Sequence, residues 1–297
     1  MLDEALVRRS RVAAPSGFTL VELIVAFALA SLVLAVASGS LLRQQRAARW
    51  VGGVDAGEGQ MRVMSALLPA ELALLDPVAG DIAAGEATDS TIEIRAVVAS
   101  SFTCDSATTA ATLIPDGLPG TPIGGTGRSP VTGDSLWYYV SDSLGWQARR
   151  ILSAARVGTS CALPPSTAGM SQRLTLDAPI DVGGATPVRI TRRERYVIYR
   201  ASDGRWYLGL RDWSAAVGAF SAPQPVAGPF LRALASGART GFRFFDSAGA
   251  VLLPNGSNEQ RIARVRIASL VSLPAFAAAD SVRRDSIDVA LARSGAP

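Results

Sequence analysis

Apolar and polar positions follow three different patterns along the chain. The first is unbroken: after Glu22 no charge and no proline occurs until Arg43, and the intervening residues 23–42 are rich in Leu, Val and Ala. At about 1.5 Å rise per residue, a helix of roughly 20 residues crosses a hydrocarbon core of about 30 Å, so this run predicts one membrane span. The second pattern is helical. Met61, Met64, Leu68, Leu72 and Leu75 fall on one helix face, which predicts an apolar stripe packed on a sheet. Between the two, Gly52, Gly53, Gly57 and Gly59 each lower helix propensity by about 1 kcal/mol relative to Ala, which predicts a bend or local melting. Pro69 is expected to interrupt the helix and Asp76-Pro77 to end it.

From Ser90 onward the pattern alternates and becomes β-branched. Strands are predicted over 91–98, 136–140, 146–152, 173–176, 188–190, 196–199 and 206–210, with Asp203-Gly204 as the strongest hairpin signal. Residues 115–133, rich in Gly, Pro and Thr, and residues 160–169 read as exposed loops. The last third repeats the hairpin logic: a strand over 242–245, a turn at Asp246-Ser247-Ala248-Gly249, and strands over 251–253, 262–270 and 286–291. Residues 230–235, following Gly228-Pro229, read as a short helix. Strands joined by hairpins after one long helix indicate an α+β fold, with a long N-terminal helix packed on the antiparallel β-sheets of a C-terminal globular domain.

Glu22 is the exception in the apolar run. An acidic residue at the centre of a membrane helix costs roughly 2.5 to 3.5 kcal/mol, so a carboxylate near the start of such a span is a functional candidate. From the residues alone three readings stand. Ala35-Val36-Ala37 before Ser38 fits a secretory cleavage site, yet the apolar run exceeds the usual h-region of about 7 to 15 residues. A plain signal anchor and a membrane span in which Glu22 is functional are the others. Arg8, Arg9 and Arg11 precede the run and Arg43, Arg46 and Arg49 follow it, so charge alone does not set the orientation. A cytoplasmic N-terminus is favoured, because the bulk of the chain then lies where cysteines can pair.

Composition narrows the function classes. The chain has no histidine, which removes Ser-His-Asp and Cys-His catalysis and the commonest zinc ligand. Asp134, Asp142 and Asp203 have no catalytic spacing and read as turn residues, so neither an enzyme, a metal nor a cofactor is expected. Cys104 and Cys161 are the only cysteines. Their small, polar flanks read as two loop ends joined by one disulfide, contributing up to ~4 kcal/mol in the chain-entropy model. The alternative is a pair of thiols, too far apart to favour a metal site. All basic residues are Arg and the net charge is only +4. Arg189, Arg192, Arg193, Arg195 and Arg200, with Tyr196 and Tyr199 nearby, form the densest basic cluster, and Arg261, Arg264 and Arg266 a second. Nucleic-acid binding is nonetheless disfavoured, since strand arginines usually point to solvent and neighbouring acids dilute the field.

Gly17-Phe18-Thr19-Leu20-Val21-Glu22-Leu23 resembles the signal of prepilins, the precursors of type IV pili and of the pseudopili of type II secretion. The resemblance implies that a membrane aspartyl peptidase, the prepilin peptidase, cuts between Gly17 and Phe18 and methylates the new amine of Phe18. Glu22 then becomes the fifth mature residue. A positive amine at a helix start is disfavoured by the helix dipole, and a carboxylate from a neighbouring subunit would relieve it. Such an intersubunit pair in low dielectric acts as a register device as much as a source of affinity.

A looser resemblance covers the C-terminal half. Tyr196-Val-Ile-Tyr199-Arg200, Phe230-Leu231, Gly241-Phe242-Arg243-Phe244-Phe245-Asp246, Gly249 and Arg261-Ile-Ala-Arg-Val265-Arg-Ile267 look like J-type minor pseudopilins and W-type minor pilins. This implies two antiparallel sheets on the helix and a place near a filament tip. The expected organisation is a leader over 1–17, a transmembrane half-helix over 18–42, an outer half-helix over 43–76 and a β-rich periplasmic or extracellular domain over 77–297. The expected partners are other pilins or pseudopilins, prepilin peptidase, an inner-membrane assembly platform and membrane lipid. The expected location is the bacterial inner membrane, with a single span, and a filament after assembly. The competing expectation is a single-pass envelope protein or a secreted β-rich binding protein with an ordinary signal peptide.

Overall fold

The structure, a computed structural model, describes residues 20–107, 109–113, 128–141, 145–158, 170–180, 186–273 and 281–292. Helix α1 spans Leu20–Leu72. The chain divides into two compact units, Met1–Gly52 and Gly53–Pro297. α1 is helical through all four glycines, so the expected local melting is not observed. Their propensity deficit is small beside a hydrogen-bond ladder that propagates cooperatively on both sides. Pro69 lies in the last turn rather than interrupting the helix, and its carbonyl accepts the Ala73 N–H at 3.0 Å. A proline so near the end forfeits little of the ladder. The helix ends at Leu72, before Asp76.

Among the described residues the second unit carries thirteen strands. The first nine are β1 (Thr91–Ala107), β2 (Ala110–Leu113), β3 (Ser135–Ser141), β4 (Gly145–Gly158), β5 (Met170–Leu176), β6 (Pro187–Arg200), β7 (Trp206–Ser214), β8 (Ala219–Phe220) and β9 (Gln224–Phe230). They form one sheet ordered β1-β2-β5-β4-β3-β6-β7-β8, in which β9 pairs β7 and β6 also pairs β1. That last ladder closes β1, β2, β5, β4, β3 and β6 into a hydrogen-bonded ring. The second sheet, ordered β11-β10-β12-β13, contains β10 (Gly241–Phe245), β11 (Val251–Leu252), β12 (Arg264–Leu273) and β13 (Ser281–Ala290). Every ladder in both sheets is antiparallel, as the α+β expectation required.

Two apolar cores result. One fills the strand ring with Val98, Leu113, Leu136, Tyr138, Ile151, Leu174, Val188 and Ile190. The other joins Met61, Met64, Leu68, Leu72 and Leu75 to Ile92, Ile94, Tyr196 and Ile198 of the large sheet and to Phe242, Phe244, Val265 and Ile267 of the small one. The predicted stripe is therefore entirely core, although Leu75 lies beyond the end of the helix at Leu72. A bulge helps β1 serve both cores. Before it, even-numbered residues oppose even-numbered residues of β6 (Ile92 with Tyr196); after it, odd oppose even (Ala99 with Ile190). One extra residue thus exchanges which side chains of β1 share a face with β6.

The structure adds β2, β8 and β9 to the predicted strands, begins β12 at Arg264 and β13 at Ser281 rather than at 262 and 286, and differs from the sequence reading in three further places. The strands expected at 188–190 and 196–199 are one continuous β6, because the charged residues between them are accommodated in ion pairs rather than excluded. Residues 230–235 are not a helix. The Leu231 N–H donates to Leu270 O at 2.8 Å, and Arg232 O and Leu234 N pair with Thr240 and Ala238, so sheet and hairpin partners occupy the groups a helix would need. Cys104 lies within β1 rather than in a loop, at a register shift between Thr103 and Asp105 in the ladder with β2. The hairpin at Asp203-Gly204 joins β6 and β7 as predicted, with Gly204 at φ 80° in the left-handed region. The turn at 246–249 joins β10 and β11, and Asp246 Oδ1 accepts the N–H groups of Ala248 and Ala250. Residues 114–127 and 159–169, which hold most of the two predicted loops, lie outside the described residues.

Candidate functional site

The first unit presents an apolar helix surface on all sides. Every described side chain from Leu20 to Gln45 is exposed, including Leu20 at 73%, Phe27 at 67% and Leu34 at 68%. Leu20–Gln45 is long and apolar enough to cross a membrane, and none of it is buried in the protein. At 26 residues it would extend about 39 Å, more than the hydrocarbon thickness. Two of its serine hydroxyls are turned inward on the helix: Ser31 Oγ donates to Ala28 O at 2.8 Å and Ser40 Oγ to Ala37 O at 2.9 Å. Such back-bonding satisfies hydroxyls without solvent, as a helix in lipid requires. Glu22 lies exposed in the first turn, where a carboxylate faces the favourable end of the helix dipole.

Residues 14–38 match the model of the prokaryotic N-terminal methylation motif. This is a type IV prepilin-like signal. It contains Gly17, Phe18 and Glu22 and ends within the apolar helix. The signal supports a precursor of the type IV pilin or pseudopilin kind. Together with the single apolar helix it fits a membrane-anchored protein. No curated protein and no solved structure matches the chain.

Gly17 and Phe18 lie outside the described residues, as do Cys161 and Asp142, whereas Glu22 is placed as above. Cys104 is half-buried and disulfide-bonded. Among the described residues no group of three His, Cys, Asp or Glu is placed to hold a metal ion.

Most of the arginine cluster of β6 is built into the domain rather than displayed, Arg193 and Arg200 being the exposed members. Arg189 forms a two-pronged pair with the buried Asp81 at 2.7 and 2.9 Å, and Arg192 does the same with the buried Asp134 at 2.8 and 2.9 Å. Arg193 and Arg195 both bind the buried Glu93, and they stack on Trp213 and Phe220 with ring-centroid distances of 4.1 and 4.4 Å. Burial pushes the Asp81 carboxyl above its ordinary value, against the pull of Arg189 and its backbone donor. Tyr196 is fully buried, so the stacking role considered for it is closed to it. Arg266 pairs with Asp288, and Asp203 accepts from Arg205 N and the Tyr207 hydroxyl within its turn. The expectation that strand arginines point to solvent therefore fails for Arg189 and Arg192, whose side chains are only about a fifth exposed. The missed partners, Asp81 and Glu93, had a legible signal: acids shortly before and within the strand that pairs with β6.

Proposed function

We propose that the chain is a minor pilin or pseudopilin, a structural subunit of a type IV pilus or type II secretion pseudopilus that helps to initiate or cap the fibre. The observation that carries this reading is the methylation motif over 14–38 continuing into a helix that is apolar and exposed on every side. Prepilin peptidase cuts between Gly17 and Phe18 and methylates Phe18. Glu22 meets that amine on a neighbouring subunit and sets the axial register. Before assembly the protein sits in the bacterial inner membrane with its N-terminus in the cytoplasm. The β-rich domain lies on the other side, where Cys104 pairs with Cys161. Two sheets associated with the outer part of α1, and a size generous for a repeating shaft subunit, support a minor role of the J or W type.

Sequencing the mature N-terminus tests the reading. Methylated Phe18 is the expected result. A chain beginning at Ser38 would instead establish ordinary signal cleavage of a secreted β-rich protein, and an intact Met1 a plain single-pass anchor.

A further inference from the structure

The even-numbered side chains of β6 run Val188, Ile190, Arg192, Glu194, Tyr196, Ile198. The first two belong to the core of the strand ring and the last two to the core beside α1, so Arg192 and Glu194 form a charged layer between two apolar ones. Glu71 of α1 enters the same layer. It is 4% exposed and Glu194 is 0% exposed. One guanidinium serves both: Arg128 Nη2 donates to Glu71 Oε1 at 3.0 Å, and Nη1 donates to Glu194 Oε1. The Tyr196 hydroxyl donates to the other oxygen of Glu71.

The charges in this layer do not balance. The groups facing Glu194 are Glu71 from α1, Arg128 and Asp134 from the segment before β3, Arg192 and Tyr196 from β6, and Asp212, its cross-strand neighbour on β7. Arg192 is held by Asp134 through both prongs, so among the described residues Arg128 is the one cation paired directly with Glu71 and Glu194. Glu194 Oε2 is buried and has no hydrogen-bond partner among the described residues. An ionised carboxylate in such a place carries an uncompensated desolvation penalty, whereas a neutral one leaves Arg128 and Glu71 as a matched pair.

We propose that Glu194 carries a proton in the folded domain, making the Glu71–Arg128–Glu194 cluster a pH-sensitive latch between the end of α1 and the large sheet. Burial is the largest influence and raises Glu194 to about 7; Glu71 and Asp212 add to the rise, and Arg128 and Arg192 oppose it. The folded value lies above the ordinary 4.5, so the folded state binds the extra proton between the two. Stability is therefore full below the unfolded value, declines as pH rises toward about 7, and stays at the lower level above it.

Thermal unfolding of the full chain in detergent micelles, followed by the β-sheet circular-dichroism signal from about pH 5 to about pH 8.5, tests this. The wild-type midpoint is expected to fall by about 5 °C or more across the range. Glu194→Gln should flatten that fall and unfold at a higher temperature than wild type at the alkaline end. A wild-type midpoint that is level or rises with pH would overturn the latch. So would a Glu194→Gln protein that is as much less stable than wild type at the alkaline end as at the acid end. If Glu194→Gln does not fold, the infrared spectrum of the wild type decides. A protonated-carboxyl band near neutrality that vanishes at the alkaline end supports the proposal, and its absence refutes it.

Discussion

The β-rich unit and the apolar part of α1 both set carboxylates among greasy side chains, and they differ in whether those carboxylates are buried or exposed. In the β-rich unit Asp81, Glu93 and Asp134 each meet an arginine of the same chain within 2.9 Å. Those arginines lie on β6, so the ion pairs fasten the central strand to its neighbours. Glu22 sits instead on a helix whose described side chains are exposed from Leu20 to Gln45. A buried ion pair stabilises the fold that buries it, whereas a carboxylate on an exposed apolar surface also answers to whatever surrounds the chain. The first region is therefore expected to respond to mutation through stability, the second through assembly.

The largest effect should come from Glu22→Ala. Cleavage after Gly17 should proceed at the wild-type level, because the proposed cut lies at the peptide bond before Phe18, while recovery in sheared filaments should fall about tenfold or more, as loss of a partner in low dielectric predicts. Immunoblotting of membrane and sheared fractions reads both quantities. Normal incorporation of the variant would remove the distinction between the two regions at its strongest point.

Truncating equal side chains in the two regions sharpens the same comparison. Leu68 is fully buried between α1 and the sheets, and Leu29 is 59% exposed. Leu68→Ala should cost about 2 to 5 kcal/mol in unfolding of the β-rich unit, from lost transfer energy and the cavity left behind. Leu29→Ala should leave that transition within about 0.5 kcal/mol of wild type. Denaturant titration in micelles measures both. Equal losses would mean that the apolar helix contributes to the domain's own core.

Much of this was legible in the chain because periodicity records burial. The stripe from Met61 to Leu75, the hairpin at Asp203-Gly204 and the turn at Asp246 to Gly249 emerge as read, since apolar spacing or a left-handed glycine leaves few alternatives. The methylation signal was legible for a different reason: its residues are contiguous. What stayed hidden was non-local. Charges between Ile190 and Tyr196 looked like a break between two strands, because their partners Asp81, Glu93 and Asp134 come from other parts of the chain. Closure of β1 onto β6 was equally invisible, as no local pattern encodes which strand completes a ring.

A small effect is also expected of an ion pair that looks as good as the buried ones. Arg266 and Asp288 face each other across β12 and β13 and make two contacts at 2.8 and 2.9 Å. Their side chains are 34% and 37% exposed, however, and Arg264 stands 3.9 Å from the same carboxylate, ready to replace the lost charge. Solvent screening and this second cation should hold the cost of Arg266→Ala to about 1 kcal/mol or less. Its hydrogen bond to Arg266 is the chief influence holding the Asp288 carboxyl below its ordinary value. A lowered acid stabilises above its unfolded value and loses that contribution as pH falls through the folded one, so the difference between variant and wild type should shrink on acidification. The opposite slope is expected of Glu194, whose value is raised. Unfolding of Arg266→Ala at neutral and acid pH therefore tests whether burial, rather than hydrogen-bond geometry, separates the pairs that fasten β6 from those that decorate the small sheet. A loss as large as that of Leu68→Ala would show that geometry alone suffices.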